Sequence, residues 1–176
     1  MAEREGLRAL QNRLAQSLTV NAASSGGDTR WLAVMMGGRK FLIPLDQAGE
    51  IFAWQQPAAL AYTQPWFLGV ANLRGRLVGV VDVAQFMGDA QERSEQQLQQ
   101  ARIVTVHPAY EVNAGIVVDQ LLGLRSGKDW ASRIEPNPPS GLAYWGACYE
   151  DTQGQKWQEL LVGMLVAAPS FLDIRL

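Results

Sequence analysis

The chain is poor in the residues that most active sites and metal centres use. Of its 176 residues, one is cysteine and one is histidine. A lone cysteine excludes an intramolecular disulfide, and with a lone histidine it supplies too few ligands for a zinc site. Neither a GxxxxGK[ST] loop nor a GxGxxG turn is present, so no phosphate-cradling or cofactor motif is predicted. Positive charge is not in excess: 15 Lys and Arg stand against 17 Asp and Glu, which offers no basic field to nucleic acid. The longest apolar stretch, 160–172, is interrupted by Pro169 and is too short to cross a bilayer. Glu3, Arg4 and Glu5 occupy the place where an export signal needs an apolar run, so the expected location is cytoplasmic, without direct membrane insertion.

What is present reads first as a helix and then as strands. Leu7, Leu10, Leu14 and Leu18 fall at helical spacing, with Arg8, Gln11, Asn12 and Gln16 on the opposite face. Residues 1–28 are therefore an amphipathic helix followed by the flexible linker AASSGGD, and the folded domain is expected over 29–176. The leucine face either docks on that domain or recruits a partner.

Beyond the linker, apolar segments of strand length recur between turn signals. Trp31–Met36 and Phe41–Leu45 flank Gly37-Gly38 as a hairpin, and Trp66–Asn72 and Leu77–Val83 flank a corner at 73–76. Ile103–Val106, Gly115–Leu124 and Leu160–Val166 read as further strands, so the class is mainly β. Two stretches repeat. FLIPLDQAGEI (41–51) aligns with AGIVVDQLLGL (114–124), and LVGVV (77–81) with LVGML (161–165). The polar, Gln-rich segment 89–100 divides the copies, and two related small lobes packed together are predicted.

A catalytic reading has little to stand on. Cys148, His107 and Asp119 could form a thiol hydrolase set, since such partners can be distant in sequence. Cys148 lies in WGACYE, however, with no helix start apparent to activate it, and a small buried thiol is the plainer role. Asp46, Asp82 and Asp119 each follow apolar runs, but the paired acids and alternating βα pattern of a phospho-acceptor domain are missing. Six tryptophans remain, of which Trp54 and Trp130 sit beside polar loops and are candidates for exposed anchors. A binding module fits better than an enzyme.

The most pointed stretch is GVANLRGRLVGVVDVAQFMG (69–88), where two apolar runs flank a charged Arg-Gly-Arg corner. It resembles the signature of CheW-like domains, the coupling adaptors of bacterial chemosensory arrays: Gly69, Asn72, Leu73, Arg74, Gly75, Val81, Asp82 and Gly88 match. Upstream, WLAVMMGGRKFLIPLDQAGEIF is similar to the family's first hairpin, with Pro44 and Glu50-Ile51, and AGIVVDQLLGL resembles its later strand ending in Val-Asp. Gly79 stands where the family usually has proline and Val83 where leucine is common. The residues over 134–157 and the leading helix are most like the branch that controls type IV pili and twitching motility; a flagellar chemotaxis adaptor is the alternative.

The resemblance implies two five-stranded β-barrel lobes on a shared core, no catalysis and no cofactor. It implies two partners: the regulatory domain of a CheA-type histidine kinase and the cytoplasmic hairpin tip of a methyl-accepting chemoreceptor. Ala48, Glu50, Ile51, Asn72, Leu73, Arg74 and Gly75 would line the partner surfaces. Arg74 either faces a partner or pairs internally with Asp82 or Glu50. Asp82, at a strand end, is expected to cap nearby amides.

Overall fold

Eleven strands and four short helices make up the described part of the chain, which in the computed structural model covers residues 29–89, 92–136 and 142–176. The predicted helix and linker at 1–28 lie outside the described residues. The strands are β1 (Arg30–Met36), β2 (Arg39–Pro44), β3 (Ala48–Ala53), β4 (Phe67–Leu73), β5 (Arg76–Val81), β6 (Arg102–Val106), β7 (Ala114–Val118), β8 (Gln120–Ser126), β9 (Trp130–Ile134), β10 (Trp145–Asp151) and β11 (Lys156–Leu160). The helices are α1 (Val83–Phe86), α2 (Glu95–Gln100), α3 (Val162–Ala167) and α4 (Pro169–Leu172).

Two sheets form, in the orders β8-β1-β2-β11-β10-β9 and β3-β6-β7-β5-β4. Both are mixed: β2 runs parallel to β11 and β5 parallel to β7, while the other pairs are antiparallel. The mainly β class is as expected, but the count is six and five rather than five and five. Nor are the sheets closed barrels, because their end strands are not paired to each other. They curl instead. β1 and β9 stand four strand spacings apart, about 19 Å in a flat sheet. The rings of Trp31 on β1 and Trp130 on β9 nevertheless lie 6.0 Å apart in an edge-to-face pair.

Curling explains why the strands read as continuous apolar runs: both faces are buried. Along β1, Leu32, Val34 and Met36 point into a core shared by the two sheets, and Trp31 and Ala33 into a smaller one inside their own sheet. β7 alternates likewise, with Ala114, Ile116 and Val118 in the shared core and Val117 in the second sheet's own cluster.

The topology accounts for the repeat and corrects half of it. Each half begins with a hairpin (β1-β2, β6-β7) whose chain then crosses to the other sheet, through 45–47 to β3 and through Asp119 to β8. β3 therefore edges the second half's hairpin and β8 the first's, so the lobes exchange a strand. The alignment of 41–51 with 114–124 is this crossover. The match of LVGVV with LVGML is not structural. LVGML opens helix α3, so the strand expected at 160–166 is a helix, and the counterpart of β5 is β11, KWQEL. Backbone bonds fix that register: Asp82 N–H donates to Trp66 C=O after β5, and Leu161 N–H to Tyr144 C=O after β11. The similarity of LVGML to a strand arose because a short helix built of apolar residues and a buried strand are equally apolar in sequence.

Candidate functional site

The Asn72–Arg76 corner is a two-residue hairpin turn with positive φ at both central residues, 52° for Arg74 and 83° for Gly75. Such turns match the twist of the flanking strands. Glycine accepts that geometry freely, whereas Arg74 adopts it against its Cβ. The Asn72 side-chain oxygen accepts the Gly75 N–H at 2.7 Å and braces the turn.

Across the opening of the same curled sheet lies β3, its other end strand. A break in register between Ala48 and Ile51 bulges that strand outward, and Thr105 Oγ1 accepts the Glu50 N–H at 2.8 Å and donates to its carbonyl. A Cβ on Gly49 would come within 2.5 Å of that hydroxyl, so the bulge suits glycine at this step. The bulge turns Glu50 toward the corner. Arg74 Nη1 donates to Glu50 Oε2 at 2.7 Å, and its guanidinium stands 5.5 Å from the centre of the Phe52 ring. The ion pair thus spans the two strands that hydrogen bonds leave unjoined. Both side chains remain open to solvent, 77% for Arg74 and 60% for Glu50.

Of the seven expected contact residues, Glu50, Asn72, Arg74 and Gly75 are exposed on this rim and Ile51 is half-buried. Ala48 and Leu73 are corrections: at 6% and 2% exposure their side chains face the shared core and the second sheet's cluster. Of the two internal partners considered for Arg74, the structure supplies Glu50 and not Asp82. Leu77, 68% exposed and opposite Asn72 in register, extends the rim with an apolar side chain that the sequence reading passed over. Strict alternation in LVGVV signals it, since Val78 and Val80 point inward.

Asp82 is the one buried charged residue among those described. It caps α1 by accepting the Gln85 N–H at 3.1 Å, as expected, and pairs with Arg93. Arg93 also donates to Asp119 Oδ1, while Asp119 Oδ2 accepts the Gly37 N–H at 2.8 Å. Burial opposes the charge on Arg93, but its hydrogen bonds to Asp82 and Asp119 outweigh that and raise its pKa above the ordinary arginine value. One side chain from the segment between the halves thereby ties the end of β5 to the crossover before β8. Nothing in the local sequence marks Arg93 for this role.

The proposed hydrolase residues are engaged separately. Asp119 serves Arg93 and Gly37, His107 Nδ1 accepts the Ala109 N–H, and Cys148 lies within β10 between Ile134 and Gln158; no hydrogen bond joins any two of them. Trp54 and Trp130 are half-buried against their sheets' own clusters rather than exposed anchors. Among the described residues no group of acids, histidine and cysteine could hold a metal ion, and no helix is long and apolar enough to cross a membrane.

A family model described as a CheW-like domain matches residues 30–144, from the start of β1 to the residue before β10. The chain belongs to the CheW-like family. PilI of Pseudomonas aeruginosa is 36% identical over 90 residues, which are 51% of this chain and 48% of that protein. The chemotaxis protein CheW of Bacillus subtilis is 32% identical over 54 residues, 31% of this chain and 35% of that protein. The chain thus spans about half or less of the length of these relatives. The crystal structure of the scaffolding protein TtCheW from Thermoanaerobacter tengcongensis shares the fold at a TM-score of 0.61 and 15% identity, covering 76% of this chain and 89% of that one. The CheW-like domain here keeps a local reason for its departure at Gly79. Its N–H donates to Asn113 C=O at 2.9 Å beside the parallel pairing of β5 and β7, a bond proline cannot make.

Proposed function

We propose that this CheW-like domain is a non-enzymatic adaptor that joins a CheA-type histidine kinase to the cytoplasmic hairpin tip of a methyl-accepting chemoreceptor. The system served is control of type IV pili and twitching motility, a reading supported by the similarity to PilI. The observation that carries the adaptor reading is the rim built by Glu50, Arg74 and Leu77. An exposed guanidinium and an apolar side chain at the corner stand beside an exposed carboxylate on β3. Arginine with neighbouring apolar area suits recognition of a helical surface, which offers carboxylates and a stripe of apolar residues. Glu50, Ile51, Asn72, Arg74 and Gly75 are the proposed contacts, with Ala48 and Leu73 supporting them from beneath.

The mechanism is linkage. The adaptor holds kinase and receptor together, and a receptor state biases the kinase through its differential contact energy. Each contact needs only micromolar strength, about −8 kcal/mol, because recruitment to a membrane-associated array multiplies it by effective concentration.

Titration calorimetry against the kinase regulatory domain, with and without the receptor hairpin fragment, tests this. Saturable binding to both is expected. Absence of binding to either partner from the same cell would sink the proposal.

A further inference from the structure

The first lobe carries an opening that the adaptor reading does not use. Its six-stranded sheet curls round Trp31, Tyr149 and Trp157 but ends at β8 on one side and β9 on the other, with no pairing between them. A cleft of about 420 Å³ lies in this seam, and its lining runs along β9 from Trp130 to Arg133 over a floor of Trp31 and Tyr149. Among the described residues the outer edges of β8 and β9 have no backbone partner. Each of the two strands also exposes one large apolar side chain, Leu124 at 39% and Ile134 at 52%. Free strand edges of this kind are what proteins cover with a helix or a loop.

The chain carries a segment suited to be that cover. Thr29 belongs to the cleft's lining, so the fold is joined to residues 1–28 at the seam itself. The predicted leucine stripe matches the seam in length. From Leu7 to Leu18 a helix rises about 17 Å, at 1.5 Å per residue. The five residues of β9 span about 17 Å, at 3.3 Å per residue. The predicted linker, 22–28, has a root-mean-square reach of about 15 Å as a flexible chain. A tether whose reach matches the span it must cover keeps the stripe at high local concentration over this seam.

We infer that the leucine face of residues 7–18 docks across the seam and covers the free edges of β8 and β9. Leu7, Leu10, Leu14 and Leu18 face the sheet, while Arg8, Gln11, Asn12 and Gln16 face water. A modest contact suffices because the tether supplies the concentration, and the cover keeps a second copy from pairing with the same edges. The site is separate from the Glu50–Arg74 rim and stands or falls independently of it.

Hydrogen exchange of the full chain, read segment by segment by mass spectrometry, tests the inference. L10D/L14D puts two carboxylates on the leucine face, and exchange over 120–126 and 130–134 should then rise by at least about tenfold. Exchange over 67–81 should stay as it was. R8D/Q16D, on the opposite face, should leave all three segments unchanged, and the protection should not depend on protein concentration. Unaltered exchange at β8 and β9 in L10D/L14D, equal effects of the two double variants, or a rise confined to 60–64 and 172–176 overturns it. So does protection that is lost on dilution, which would assign the seam to a second copy of the chain.

Discussion

At the end of β5 stands Asp82; in the same place of the other lobe, at the end of β11, stands Leu161. Both amides donate to the carbonyl of an aromatic residue that precedes the neighbouring strand, and both residues begin a short helix. The apolar positions correspond as closely. Ile43 on β2 and Ile116 on β7 occupy matching steps of the repeat, at 0% and 1% exposure in the shared core. The charges do not correspond. The second lobe has Asp82 tied to Arg93 and Arg74 tied to Glu50, whereas the turn matching the Arg74 corner carries Gln153. Duplication therefore accounts for the packing, whereas the ion pairs at Asp82 and Arg74 have no counterpart at the matching positions of the first lobe, Leu161 and Gln153.

The sharpest way to break this comparison is at Arg93. Arg93→Ala leaves Asp82 buried beside α1 without its cation, and a loss of about 3–5 kcal/mol is expected in urea unfolding at neutral pH. Giving the second lobe the first lobe's residue, as Asp82→Leu with Arg93→Met, should recover much of that loss, because it removes the stranded charge.

Next come Ile43→Ala and Ile116→Ala. Each should cost about 2–5 kcal/mol, and each should shift a single transition seen alike by fluorescence and circular dichroism. The reason is that strands of both sheets fill one core and the lobes exchange β3 and β8. Two separate transitions would mean that the lobes fold independently.

A smaller effect separates the two corners. Arg74→Glu should weaken binding of the kinase domain or receptor hairpin by at least tenfold, about 1.4 kcal/mol, while Gln153→Glu leaves it unchanged. Equal behaviour of the two variants would remove the functional asymmetry. Smallest is Glu50→Gln. It breaks an exposed ion pair, so stability should fall by less than about 1 kcal/mol in the same unfolding assay. A larger loss would mean that the pair closes the curled sheet rather than serving mainly its surface.

Much of the fold was legible because hydrophobic alternation and turn chemistry are local. Gly37-Gly38 and Arg74-Gly75 both fall at two-residue turns, and the Asp-Gln repeat falls at both crossovers. The misread segment, LVGML, fails for a physical reason: five residues with no polar side chain among them carry no period that separates helix from strand. The site was half legible. The corner motif exposes Arg74 and Gly75, but the burial of Ala48 and Leu73 depends on which face each strand turns inward. Side-chain alternation alone does not fix that face before the register is known.

Sequence by itself determined that this chain is mainly β, that it carries a duplicated unit, and that its Asn-Leu-Arg-Gly corner belongs to the CheW-like pattern. These are properties of neighbours along the chain. Tertiary structure alone decided that the lobes exchange a strand, that Arg93 joins Asp82 to Asp119, and that Glu50 meets Arg74 across an unclosed sheet. Each of these joins residues at least 11 positions apart, the Glu50–Arg74 bond 24, and only the curl of the sheets brings such partners within reach.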